Sequence, residues 1–265
     1  MDALVTQALR AGRAPVARRV PGARVLVAGG AGALGAAVLE HLLGHPAFVE
    51  VSVLVTQPLG AGLPGLNPVG WDDGSAPFAC AAASAVVVFD RERHANGREQ
   101  AFWRPDPAAL PALAARLRAS GVRHLTIVQP HVSAGLPRAL RMGLANLDEQ
   151  GIAGLGFEHL VFMRPAQAPV LEGDSHPGHR LARWMLSQLQ LMVPPQDKPV
   201  RAAKVARFAV QIAARLPQAA PGTRVVPADL VWEAAQRNDL DLAALAADWL
   251  AGRSVAPSAA PVQRL

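Results

Sequence analysis

Three residue types are absent or scarce in this chain, which has no tyrosine, one cysteine and two lysines, and each scarcity excludes a kind of chemistry. The single thiol, Cys80, excludes an internal disulfide and a zinc site built from cysteines. Its apolar neighbours at residues 78–83 predict a buried structural thiol. The lack of tyrosine leaves no phenol for acid–base catalysis.

Aromatic side chains make up only 5% of the chain, which is too few to form stacking platforms for nucleic-acid bases. The net charge of +6 would favour phosphate-rich partners if the basic residues were clustered. The arginines are instead dispersed, and a modest basic arm near the N-terminus contains Arg13, Arg18, Arg19 and Arg24. The sequence therefore predicts no specific nucleic-acid partner.

Long apolar runs are also missing, since no stretch approaches the roughly 18 residues that are needed to cross a bilayer. No segment near the start joins a basic end to an uninterrupted apolar stretch, as a secretory signal would. These features predict a cytoplasmic protein without a membrane partner. Hydrophobic residues at 51% and charged residues at 17% supply enough apolar material for one folded domain.

Apolar strands alternate with amphipathic helices along the chain. We predict strands at residues 24–28, 49–55, 85–89, 122–128 and 158–163, with a short strand near Val69 in a loop at 57–75. We predict helices at residues 34–43, 106–120, 137–150, 178–192, 202–216 and 230–250. This alternation predicts an α/β fold, in which a doubly wound, mostly parallel sheet carries helices on both faces. The predicted organisation is an N-terminal arm at 1–22, a single domain at 23–252 with a helical, substrate-side part from about residue 166, and a tail at 253–265.

A glycine turn joins the first predicted strand to the first predicted helix, with the sequence GGAGALG at residues 29–35. Gly29, Gly32 and Gly35 have a G-x-x-G-x-x-G spacing, which allows a tight turn and a close approach of backbone N–H groups to a pyrophosphate. The N-terminus of the following helix adds a partial positive charge. Such a turn can also be purely structural, so it predicts the fold more directly than it predicts present-day binding.

Three separated segments resemble a known superfamily. They are VLVAGGAGALGAAVLEHLL at residues 25–43 with VSVLV at 51–55, REQAFW at 98–103 leading to ASGVRHLTIV at 119–128, and LGFEHLVFMRP at 155–165. These segments resemble the extended and atypical short-chain dehydrogenase/reductase superfamily, particularly small NAD(P)-binding proteins similar to the Tat-interacting oxidoreductase-like protein. The resemblance implies a Rossmann-type domain, NAD or NADP as cofactor, and a homodimer by analogy with relatives.

The resemblance also implies where catalytic residues should lie. Reductases of that superfamily use a Tyr-x-x-x-Lys pair, in which the tyrosine donates or accepts the proton. The corresponding residues 138–149 contain neither residue type, and Lys198 and Lys204 lie far downstream. We therefore assign no catalytic residue. His131, just before Ser133, is a candidate substitute acid or base, although a loop histidine of this kind is more often structural or solvated.

By the same resemblance, the candidate cofactor-binding residues are Gly29, Gly32, Ala33, Leu34, Gly35 and Thr56. An acidic residue that selects NAD, or an arginine that selects NADP, should follow the second strand, but Thr56 and Gln57 stand there. The sequence therefore does not distinguish the two cofactors. The bulk and acidic charge of residues 89–93, after the next buried strand, disfavour a pyrophosphate.

No metal site is predicted, because Asp174, His176 and His179 match no strong ligand spacing. The leading interpretation is a Rossmann-type protein of the atypical class that keeps the dinucleotide turn without the usual catalytic pair. One alternative is an active NAD(P)-dependent oxidoreductase that uses His131 or a bound water as proton donor. The other alternative is a non-catalytic interaction or scaffold protein whose cofactor crevice is empty. The substrate and any protein partner stay open.

Overall fold

The computed structural model describes residues 22–59, 64–72, 74, 76–90, 99–129, 147–165 and 200–253. Seven strands lie within these residues: β1 (Ala23–Ala28), β2 (Phe48–Val55), β3 (Leu66–Gly70), β4 (Ser84–Val88), β5 (His124–Val128), β6 (His159–Met163) and β7 (Gly222–Val226). They form one sheet in the order β3-β2-β1-β4-β5-β6-β7, and every neighbouring pair is parallel. The predicted doubly wound α/β fold is confirmed.

Six α-helices lie within the described residues: α1 (Gly32–Gly44), α2 (Leu110–Ala119), α3 (Leu147–Ala153), α4 (Ala202–Arg215), α5 (Ala228–Gln236) and α6 (Asp239–Leu250). They cover both faces of the sheet, as alternate residues of β1 illustrate. Val25 and Val27 join the core that contains α1, α4, α5 and α6, whereas Leu26 and Ala28 join the core that contains α2 and Ile152 of α3. A strand that is buried on both faces reads as a continuous apolar run, which is why β1 was recognisable from sequence.

The sequence prediction missed β7 and merged two C-terminal helices. β7 is a five-residue edge strand whose first half is exposed, so its sequence GTRVV lacks an apolar run. The single helix predicted at 230–250 is divided into two helices at Asn238. The Asn238 side chain caps α6, because it accepts a hydrogen bond from the Asp241 N–H at 2.9 Å. The helices predicted at 178–192 and over 137–146 lie outside the described residues.

The prediction of a buried Cys80 is wrong in degree, because the thiol is only half-buried. It packs beside the core that contains α2, and the Cys80 N–H donates to the Phe78 carbonyl at 2.8 Å. Burial raises the pKa of the Cys80 thiol, so less of the nucleophilic thiolate forms near neutral pH. A structural role is consistent with this environment.

The order of the strands fixes the position of a crevice. The chain runs outward from β1 through β2 to β3 on one side of the sheet, and β4 then begins the other side next to β1. In open parallel sheets, ligands bind beyond the carboxyl ends of the strands at such a switch point. The residues that follow β1, β2 and β4 therefore define the candidate site.

Candidate functional site

The glycine turn has the backbone conformation that its spacing predicts. Gly29 and Gly32 have positive φ angles of 91° and 79°, which side chains of L-residues rarely tolerate. A Cβ at Gly35 would lie 2.2 Å from the Gly29 carbonyl oxygen, so only glycine lets the first turn of α1 pack against the end of β1. The predicted residues Ala33 and Leu34 lie in that first turn, with Ala33 exposed and Leu34 buried. The structure therefore brings five of the six predicted cofactor residues together.

The first turn of α1 donates a hydrogen bond to an acceptor in the segment that follows β4. Its own N-cap residue, Ala31, offers no side-chain hydrogen bond, and the turn contains no acidic residue. Asp90, two residues after β4, fills this role, because its carboxylate accepts a hydrogen bond from the Leu34 N–H at 2.6 Å. The same carboxylate oxygen lies 2.5 Å from the position that a Cβ at Gly32 would occupy. An anion is therefore already seated at the helix N-terminus, where a pyrophosphate would bind.

Thr56, the sixth predicted residue, follows β2 but contacts a different part of the chain. Its N–H donates to the Ala101 carbonyl at 2.8 Å, and its hydroxyl donates to the same oxygen at 3.3 Å. The Trp103 N–H donates to the Leu54 carbonyl at 2.9 Å. We call residues 101–105 the crossing segment. These residues pass the carboxyl end of β1. They run along the last residues of β2, on the edge of β2 that β1 does not cover. Thr56 is thus engaged by the crossing segment at the position expected for a ribose contact.

The crossing segment is anchored by aromatic packing. The indole of Trp103 stacks on that of Trp71, which follows β3, with ring centroids 3.8 Å apart and an interplanar angle of 19°. The buried Arg116 of α2 holds its guanidinium 4.0 Å from the centroid of the Phe78 ring, beside the same cluster. A stacked aromatic pair adds roughly 0.5–1.5 kcal/mol beyond the area it buries. Displacing the segment would therefore cost a stack as well as backbone hydrogen bonds.

A small cleft remains between the glycine turn and the crossing segment. Its lining residues are Gly29, Ala31, Gly32, Val88, Asp90, Arg104 and Pro105. In this conformation the residues present do not fit a dinucleotide. The phosphates of a dinucleotide would compete with the Asp90 carboxylate for the Leu34 N–H. The ribose of the dinucleotide would compete with the crossing segment for Thr56.

The region where the resemblance expects an acid–base pair contains a buried ion pair instead. The carboxylate of Glu149 in α3 pairs with the guanidinium of Arg164, the residue after β6, and both side chains are buried. Glu149 is the last residue of the stretch in which a tyrosine and a lysine should occur. In such an ion pair the two buried charges balance each other. Neither group transfers protons as the phenol of a tyrosine does. His131 and Ser133 lie outside the described residues.

Sequence reasoning missed the crossing segment, although it noted the acidic residue after β4. The motif REQAFW at residues 98–103 supported a family resemblance, but nothing in it indicated pairing with the end of β2. That contact joins residues about 45 positions apart, as in Thr56 and Ala101. A useful signal was the pair of tryptophans, Trp71 and Trp103, in a chain with only five. Two tryptophans that follow or precede predicted strands could have been predicted to pack together over the strand ends.

Comparisons with known proteins give only distant structural similarities. No protein-family model and no curated protein matches the sequence. Among solved structures, the UDP-N-acetylglucosamine 4-epimerase from Bacillus cereus is 12% identical, covers 84% of this chain and 82% of its own length, and has a TM-score of 0.40. The Bordetella bronchiseptica enzyme WbmH, solved in complex with NAD+, is 13% identical over 86% of this chain and 98% of its own, with a TM-score of 0.38. WbmF from the same organism, solved with NADH, is 13% identical over 89% and 79%, with a TM-score of 0.39.

At TM-scores of this size, the likeness carries no inference about ligand or reaction. The class of the protein is defined by its own sheet, which is a parallel, doubly wound α/β fold with a glycine turn after β1. Across the described ranges, none of the helices combines the length and the apolar character that crossing a bilayer requires.

Proposed function

We propose that this chain is a non-catalytic Rossmann-type protein of the atypical short-chain dehydrogenase/reductase kind, with a cofactor crevice closed by its own residues. The observation that carries the proposal is the Asp90 carboxylate at the Leu34 N–H, which occupies the anion position of the glycine turn. The crossing segment supports it independently at the ribose end, through Thr56. The absence of tyrosine from the whole chain removes the usual proton donor. The fold then serves as an interaction module.

The size of the phosphate effect follows from Coulomb's law. Two unit charges about 4 Å apart repel by about 1 kcal/mol in water and by about 4 kcal/mol at an effective dielectric constant of 20. Asp90 is exposed, so the lower part of this range applies when the crevice is open to water. Because 1.4 kcal/mol corresponds to tenfold in affinity, neutralising Asp90 should tighten phosphate binding by at least about fivefold.

A second candidate function is dinucleotide binding without the usual catalysis. It is favoured by the glycine turn itself, because the positive φ angles and the close packing of Gly35 preserve the shape that receives a pyrophosphate. In this case Asp90 and the crossing segment would move aside when NAD or NADP binds. An active oxidoreductase that uses His131 would need the same movement and a measurable turnover.

Titration of the full chain with NAD+, NADH, NADP+ and NADPH separates these functions, with calorimetry and nicotinamide fluorescence as readouts. The wild type should show no saturable binding at millimolar cofactor, whereas Asp90→Asn should bind measurably more tightly. Asp229→Asn is the matched control, since Asp229 is an exposed carboxylate near the start of α5. Saturable binding by the wild type would instead favour the second candidate. Turnover that disappears in His131→Gln would establish an oxidoreductase.

A further inference from the structure

Two buried histidines lie side by side at the amino ends of the strands, far along the sheet from the glycine turn. His124 is the first residue of β5 and His159 the first residue of β6, and the two are direct partners in the parallel register. Their exposed fractions are 4% and 0%. Glu158, the residue before β6, brings its carboxylate to the same place, and one ligand atom from each of the three lies within 4.8 Å of the others. We call these three residues the amino-edge cluster.

The hydrogen bonds of the cluster are consistent with one tautomer of each imidazole. The His159 Nε2 lies 3.0 Å from the Ala219 carbonyl oxygen, which can only accept, so this nitrogen carries the proton. In this tautomer, the His159 Nδ1 has a free electron pair. It lies 2.8 Å from the Nδ1 of His124, which must be the donor in that hydrogen bond. A lone pair of His159 is thus aimed at the other members of the cluster.

This arrangement has the supporting contact that metal-binding histidines use. A ligating imidazole usually donates its second N–H to a carboxylate or to a backbone carbonyl, which fixes the ring and its tautomer. The Ala219 carbonyl does so for His159. Within the described part of the chain, the Glu158 carboxylate forms an ion pair with Arg123 at 3.5 Å, and the Glu158 and Arg123 side chains are 38% and 59% exposed. Such an exposed pair is weak, so the carboxylate is available to a stronger ligand.

A buried hydroxyl next to the cluster gives an independent indication. Ser84, the first residue of β4, is the register partner of His124, so it extends the row onto a third strand. Its Oγ is buried and has no hydrogen-bond partner among the described residues. Buried polar atoms without partners are rare, and an absent water or ion is a common explanation.

We propose that His124, His159 and Glu158 bind a divalent transition metal of the zinc class, with a water in the fourth position. Two imidazoles and a carboxylate are a ligand set that zinc accepts. Zinc–nitrogen bonds of about 2.0–2.1 Å in a tetrahedron place the two nitrogens about 3.4 Å apart, so the rings need separate by only about 0.6 Å. His124 moves its proton from Nδ1 to Nε2, and the metal replaces the hydrogen bond between the rings. The sequence-based expectation of no metal site overlooked this cluster because its histidines are 35 residues apart.

The test uses the full chain without a histidine tag, treated with a chelator and titrated with Co²⁺ as a spectroscopic probe and with Zn²⁺ by calorimetry. We expect one equivalent to bind, with visible d–d absorption for Co²⁺ and a higher Tm with Zn²⁺. Glu158→Gln should weaken Co²⁺ binding about tenfold or more while the chain stays folded, because Glu158 is half-exposed. His124→Gln should abolish binding, and its circular dichroism shows whether it still folds.

The control is the double variant His176→Gln/His179→Gln, which removes the two histidines that the sequence places near Asp174. It should bind Co²⁺ as the wild type does. Loss of binding in this control, together with unchanged binding in Glu158→Gln, would place the metal elsewhere and overturn the proposal. The absence of saturable binding at millimolar Co²⁺ and Zn²⁺ in the wild type would also overturn it, and would leave the histidines as a hydrogen-bonded pair.

Discussion

Replacing Asp90 by alanine tests the contact on which the proposed closed crevice depends. Helix α1 has no side-chain cap of its own, so Asp90 is the side chain that satisfies the Leu34 N–H. Loss of an N-cap acceptor typically costs about 1 kcal/mol, and loss of a negative charge at a helix N-terminus about 0.3–1 kcal/mol more. We expect the free energy of unfolding to fall by about 1–2 kcal/mol. For a domain of this size, each kcal/mol of lost stability lowers Tm by roughly 2–4 °C.

Urea unfolding followed by circular dichroism measures this loss, with equal m-values required for the comparison. Asp90→Asn should recover much of the stability, because asparagine caps helices as well as aspartate does. Asp106→Ala is the control, since that carboxylate caps only the three-residue 3-10 turn Pro107–Ala109, through the Ala108 N–H. If Asp90→Ala were as stable as the wild type, the carboxylate would not be seated on α1, and the closed crevice would lose its main support.

Three further changes probe other parts of the fold. Gly35→Ala should lower the free energy of unfolding by about 1–3 kcal/mol, because its Cβ would overlap a backbone carbonyl, whereas Gly44→Ala in the same helix meets nothing within 4 Å and should be neutral or stabilising in urea melts. Glu149→Gln should cost about 3 kcal/mol in the same assay, since it removes the charge opposite the buried Arg164, and a smaller loss than about 1 kcal/mol would show that the pair is solvated. Burial, and secondarily Arg215, lowers the pKa of His45, so the unfolded state binds the proton more readily. The resulting stability is complete above about pH 6.5 and is lost as the pH falls below that value. His45→Gln should weaken this acid dependence of Tm, with His41→Gln as the control, and an unchanged pH profile would contradict the assignment.

The parts of the structure that were predictable are those that short stretches of sequence determine. The glycine turn lies within seven consecutive residues, and the positive φ angles of Gly29 and Gly32 follow from local steric rules. β1 and β4 were recognisable because strands buried on both faces read as nearly continuous apolar runs. The crossing segment was not predictable, since its hydrogen bonds to Thr56 and Leu54 depend on how distant elements pack. The amino-edge cluster likewise depends on strand register, which a single sequence does not specify.

Under the proposed function, the closed crevice would explain how a dinucleotide fold remains stable without a cofactor. A helix N-terminus that points into an open crevice leaves N–H groups unsatisfied, and a bound pyrophosphate can satisfy them. In this chain Asp90 supplies a permanent acceptor, and the crossing segment supplies backbone partners for the end of β2. Asp90 and the crossing segment act at opposite ends of the same crevice. Asp90 acts through its charge, whereas the crossing segment acts through backbone hydrogen bonds. Removing the Asp90 charge alone should therefore restore affinity for small phosphate anions more than affinity for a whole dinucleotide, because the ribose end stays covered. Equal gains for inorganic pyrophosphate and for NADH in Asp90→Asn would show that the crossing segment opens freely.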